Sequence, residues 1–148
     1  MGDSYNVKSY VWIQEYIWPK LEPALVEVAR DVRDHDANVW MQVRSHTSQS
    51  YPFSGYAVFE KRILNLFRLR DVGLYFNCGF CPVSLPDLQR IECRSYAAKR
   101  DGHILENGPN VVLALGDDAR IRHELDLWVD AAVRFIERSN GIVIDELK

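Results

Sequence analysis

Apolar residues at the start of the chain recur with a helical beat. Tyr10, Ile13, Ile17, Leu21, Leu25, Val28 and Val32 follow one another at steps of three or four, while Lys8, Glu15, Lys20, Glu22, Glu27, Arg30 and Asp31 lie mostly off that face. This is the period of an amphipathic helix. Asp3 or Ser4 is a suitable cap, and Asp-His-Asp at 34–36 suits its end. Pro19 and Pro23 interrupt the pattern, because proline removes a donor and crowds the preceding turn. Two helical pieces, or a kink near Trp18, are expected.

The period then shortens to two. Val39, Met41 and Val43 alternate with Trp40, Gln42 and Arg44, which predicts a strand. A polar loop follows within residues 45–55. Residues 56–70 fit a helix through Tyr56, Phe59, Ile63, Leu66 and Phe67, or a strand face through Ile63, Phe67 and Leu69. Two strands are favoured, since residues 73–80 are strand-like: Leu74, Phe76 and Cys78 share one face, Tyr75 and Asn77 the other. Asp71-Val72-Gly73 is read as the hairpin turn. Pro82 and Pro86 break the pattern, and residues 87–100 are read as a short helix, with Leu88, Ile91 and Tyr96 on its apolar side, or as an irregular segment.

Asp101-Gly102 and Asn107-Gly108-Pro109 are turn signals, and the apolar run at 111–115 is read as a short strand. The last helix is the clearest element. Ile121, Leu125, Trp128, Ala132 and Phe135 repeat helically across 118–139, after Gly116-Asp117-Asp118 and before Asn140-Gly141. The apolar tail Ile142, Val143 and Ile144 is read as an added edge strand or a partner contact. Together these elements predict one α+β domain: an antiparallel sheet of four or five strands with the N-terminal and C-terminal helices packed on one face. In architecture alone, the Gly73-Leu-Tyr-Phe-Asn-Cys-Gly79 stretch and terminal helix resemble small frataxin-like α+β domains. That likeness carries over no functional residue.

Composition narrows the classes. At 148 residues with 47% hydrophobic and 26% charged positions, the chain has the make-up of a globular domain rather than a disordered one. There is neither a membrane-length apolar run nor a signal-peptide pattern, so no membrane association is expected. Three cysteines cannot all pair internally, and free thiols fit a reducing compartment, so a cytoplasmic location is expected. Net charge is −3, unevenly spread: residues 61–100 carry eight basic and three acidic side chains, whereas residues 101–148 carry five basic and ten acidic. Residues 1–36 are acidic too, with four basic and seven acidic side chains, and these acidic ends argue against nucleic acid as a partner.

No motif specifies catalysis. Cys78-Gly-Phe-Cys81 has redox or zinc spacing, and Cys93 and His103 would complete a four-ligand set, but they lack the usual close pair. Packing cysteines are the simpler reading, and no metal or cofactor is expected. His46-Thr-Ser-Gln-Ser50 holds a base and hydroxyls without a nucleophile elbow, and His123-Glu124 lacks a second histidine four residues on.

The basic middle is the more informative signal. Arg44, Lys61, Arg62, Arg68 and Arg70 fall on or beside predicted strands, interleaved with Trp40, Tyr56 and Tyr75. If the helices cover one face, the other can present an aromatic and cationic surface. Trp40, Arg44, His46, Tyr56, Arg68 and Tyr75 are its candidate residues. The expected function is non-enzymatic binding of a small anionic ligand or an acidic protein, with homodimerisation a further expectation. The alternative is a small enzyme with a dispersed acid/base site around His46 and Glu60.

Overall fold

The computed structural model describes residues 10–48, 51–63, 68–81, 90–114 and 116–148. Helix α1 (Trp12–His35) is followed by strands β1 (Trp40–His46), β2 (Phe53–Ile63), β3 (Arg68–Phe80), β4 (Arg90–Ala98), β5 (Ile104–Asn107) and β6 (Val111–Ala114). Helices α2 (Asp118–Glu137) and α3 (Asn140–Glu146) complete the chain. The strands form one antiparallel sheet in the order β1-β2-β3-β4-β5, with β6 also on β4. β5 lies along the C-terminal half of β4 and β6 along its N-terminal half, so together they act as a fifth strand interrupted at Gly108-Pro109. The interruption dips toward the helices, where the Pro109 carbonyl accepts from Ser95 Oγ at 2.7 Å and Trp128 Nε1 at 3.0 Å.

The apolar stripes explain the layering. α1 buries Ile13, Ile17, Leu21, Leu25, Val28 and Val32, and α2 buries Ile121, Leu125, Trp128, Ala132 and Phe135. They join Phe53, Ala57, Phe59, Val72, Leu74, Phe76, Ile91 and Cys93 in one core. Each Val, Leu, Ile or Phe among them contributes about 1.5–3 kcal/mol over exposure. Both helices therefore lie on one sheet face, as expected. Polar ties align the layers: Lys20 meets Asp126 at 3.0 Å between the helices, and Lys61 meets Asp36 at 2.5 Å between β2 and the end of α1. Asp117 caps α2 by accepting from the backbone amides of Ala119 and Arg120.

Several expectations are corrected. α1 is a single helix containing both prolines, not two pieces. Glu15, Pro19 and Pro23 are all exposed, so the carbonyls that the prolines leave without donors face water. Residues 71–73 lie inside β3, paired with β2 from Glu60↔Asp71 to Val58↔Gly73, and are not a turn. The described part of the predicted 87–100 helix is instead strand β4, in which Ile91, Cys93, Ser95 and Ala97 are buried on alternate positions. The remainder of that prediction, and the Pro82 and Pro86 break, lie outside the described residues. The 142–144 tail belongs to helix α3, and Val143 is fully buried in the core.

The cysteines are also rearranged. Cys78 and Cys93 face each other across β3 and β4, with Cα atoms 4.1 Å apart, and are joined as a disulfide. Cys81 is the one free cysteine. The inference from three free thiols to a reducing compartment thereby loses its premise. Among the described residues, no helix is long and apolar enough to cross a membrane.

Candidate functional site

Strand alternation sends one set of side chains to the helices and the other to the opposite sheet face. On that outer face, register aligns a row across the sheet: Arg44↔Tyr56, Tyr56↔Tyr75, Tyr75↔Tyr96 and Tyr96↔Asn107. The Tyr56 and Tyr75 rings are 6.3 Å apart, and Tyr75 stacks on Tyr96 at 5.3 Å with an interplanar angle of 25°. The Arg94 guanidinium lies 5.4 Å from the Tyr96 ring centre. Three tyrosines are thus bracketed by Arg44 and Arg94, and all three are partly exposed.

The row has a built foundation. Gly73 is buried on the outer side, and a Cβ there would fall 2.4 Å from Tyr75 Cζ, so the tyrosine ring lies over the glycine. Burial, followed by the neighbouring Tyr96 and Asp71, raises the Tyr75 pKa above its ordinary 10.0, which keeps the phenol neutral and able to donate. With its amide oxygen turned toward Arg44, Gln42 accepts from Nη2 at 3.0 Å and Nε at 2.5 Å, steadying the guanidinium on the edge strand.

Trp40, Arg44 and His46 occupy the same face of β1, and Trp40 is 56% exposed. Tyr56 and Tyr75 join Arg44 in the central row. The Arg68 backbone pairs with Ile63, and its side chain lies outside the described residues. Tyr96 and Arg94 were missed as site residues because their segment was read as a helix. The alternation of Ile91, Cys93, Ser95 and Ala97 with Glu92, Arg94 and Tyr96 was the available signal.

The basic middle of the chain is partly neutralised. Arg100 bridges Glu60 and Asp71, and is 3.2 Å from the latter. Lys61 is held by Asp36, and Arg70 donates to the Lys148 carbonyl. Arg44, Arg62, Arg90 and Arg94 are exposed.

The dispersed acid/base pair is not brought together. Glu60 opposes Trp40, six positions along β1 from His46, or about 20 Å at strand rise. The cysteine–histidine set is separated too: Cys78 and Cys93 bond each other, while the His103 carbonyl accepts from Lys99, six positions past Cys93. Among the described residues, no group of three potential metal ligands converges. Cys81 has its pKa raised from 9.0, first by burial and then by Glu92, opposite to an activated thiol.

Two open clefts flank Leu69 near one end of the sheet. One, of about 580 Å³, is lined by Arg70, Asp71, Lys99, Arg100 and Glu146 among others. The other, of about 550 Å³, is lined by Asn38, Trp40, Glu60, Lys61, Arg62 and Leu69. The ion pairs above occupy much of the polar capacity of the first.

No protein-family model matches the chain, and neither the curated proteins nor the solved structures contain a significant match. The architectural resemblance to frataxin-like domains therefore gains no support from comparison.

Proposed function

We propose that this protein is a non-catalytic binding protein whose outer sheet face receives an acidic protein surface. The observation that carries the reading is the registered row Arg44–Tyr56–Tyr75–Tyr96, closed by Arg94 over Tyr96. Four adjacent strands span about 14 Å between outer positions at ordinary strand spacing. Such a broad row suits a protein surface better than an enclosed small molecule. Tyrosines supply rigid apolar area with hydroxyl donors, and arginines at the margins select carboxylates.

The test is an NMR titration of isotopically labelled protein with a twelve-residue peptide of alternating Glu and Leu. Shifts are expected at Arg44, Tyr56, Tyr75, Arg94 and Tyr96, weakening with salt. Arg44→Glu combined with Arg94→Glu should weaken binding by at least about 10-fold, the effect of reversing two partly exposed charge contacts. Shifts scattered over α1 and α2, or affinity unchanged by the double reversal, defeat the proposal.

A small anionic ligand is the second reading, favoured by the cleft that places exposed Trp40 beside Arg62. Titration with inorganic phosphate would then move Trp40 and Arg62 rather than the tyrosine row.

A further inference from the structure

The two lateral edges of the sheet are built differently. The β5/β6 edge is two four-residue pieces broken at Gly108-Pro109, with a register shift against β4 at Ala97/Ala98. Short, bulged and proline-containing edges resist further pairing. The β1 edge is seven uninterrupted residues, Trp40–His46, and among the described residues no strand pairs with its outer side.

The backbone groups on that edge can be identified by alternation. Cys81 donates to the Arg90 carbonyl at 3.1 Å, so odd-numbered residues at this end of β3 bond to β4 and even-numbered ones to β2. Carried through the unbroken β3–β2 and β2–β1 registers, this assigns Trp40, Gln42, Arg44 and His46 to bonds with β2. Met41, Val43 and Ser45 therefore direct their N–H and C=O groups outward. Their side chains lie on the helix side, yet Met41 and Val43 are only partly buried, whereas their β2 partners Phe59 and Ala57 are fully buried. An open hydrogen-bonding edge thus coincides with incompletely covered apolar side chains.

We propose that β1 pairs antiparallel with β1 of a second copy of this chain about a two-fold axis at Val43, extending the sheet across the dimer. The strand is self-complementary in that register. Val43 meets Val43, and Met41 meets Ser45, so all three outward N–H groups and all three outward carbonyls of each copy are satisfied. On the outer face Gln42 meets Arg44, repeating between copies the amide–guanidinium contact made within the strand, and Trp40 meets His46. Arg44 is the only Lys, Arg, Asp or Glu in β1, and this register opposes it to an amide rather than to another arginine. The inference is independent of any acidic partner on the outer face.

Light scattering on the full chain at about 100 µM should return twice the 17.2 kDa chain mass. Val43→Pro removes an N–H that β2 does not use, and proline is tolerated on edge strands. It should raise the dimer dissociation constant at least about 100-fold, the loss of two ladder bonds at the axis. Register is tested separately in a Cys81→Ser background by mixing a Gln42→Cys chain with an Arg44→Cys chain. These positions would form a non-hydrogen-bonded cross-strand pair about 4.5 Å apart at Cα, close enough to oxidise. Crosslinking in the mixture and not in either chain alone is the expected result. A monomeric wild-type chain, a dimer untouched by Val43→Pro, or no crosslink in the mixture overturns the proposal.

Discussion

Replacing Gly73 with alanine should separate two effects that oppose each other at one atom. In an ordinary strand position, Gly→Ala stabilises by about 0.4–1 kcal/mol, because it restricts the unfolded chain. Here the new Cβ would lie 2.4 Å from Tyr75 Cζ and 2.5 Å from Cε2. The tyrosine ring is the mobile end of a rotatable side chain, so it would leave its seat while the backbone stays. Its departure breaks the 5.3 Å stack on Tyr96, worth about 0.5–1.5 kcal/mol. It also re-exposes about 40 Å² of apolar ring, or about 1 kcal/mol. The loss is therefore about 1.5–2.5 kcal/mol, enough to cancel or exceed the gain. In a Tyr75→Ala background no ring is displaced, and Gly73→Ala should be stabilising. Urea denaturation of the four members of this cycle measures the coupling directly. If Gly73→Ala has the same effect in both backgrounds, within about 0.3 kcal/mol, the ring does not rest on the glycine and the foundation of the row is misassigned.

Three other perturbations probe the frame that holds this face. Gly108→Ala would place a Cβ 2.4 Å from Ser95 Oγ and 2.9 Å from Phe135 Cδ2; a loss of about 1–3 kcal/mol in chemical denaturation is expected. Pro19→Ala should stabilise by about 1–3 kcal/mol and raise Tm, because α1 continues through this position and alanine restores a helical donor. The Lys61 hydrogen bond, then the Asn38 backbone amide, hold the Asp36 pKa below its ordinary 3.8. A depressed carboxylate stabilises the fold above its unfolded pKa and loses that contribution as pH falls through the folded one. Wild type should therefore exceed Asp36→Asn in stability at neutral pH, with the two converging below pH 3.8 in thermal melts.

The helices were legible because their apolar repeats are long: α2 buries Ile121, Leu125, Trp128, Ala132 and Phe135 in the predicted phase. The first helix was recognised but expected in two pieces or kinked near Trp18, since a local rule about proline takes no account of which side of the helix faces water. Strand β1 was read with both faces correct, and three residues of the outer row followed from it and its neighbours. The errors lie where a turn signal sat inside a strand. Asp71-Val72-Gly73 resembles a hairpin turn locally, yet Asp71 takes Arg100 and Gly73 lies under Tyr75. Asp71 answers to a residue in the turn beyond β4, and Gly73 to a ring seated over it. Sequence spacing does not contain those constraints.

The same distinction explains the cysteines and sharpens the site. Cys78 and Cys81 are close in sequence, which invited a shared chemical role, but Cys78 is opposite Cys93 in the sheet. The register that brings Cys78 to Cys93 also brings Tyr75 to Tyr96, three residues earlier on β3 and three later on β4. One pair faces the helices and the other faces outward. A one-residue slip of β4 against β3 would turn both Cys93 and Tyr96 to the wrong faces at once. The buried disulfide and the outer tyrosine stack therefore depend on a single alignment: the cross-link on the core side holds in place the register from which the outer row is made.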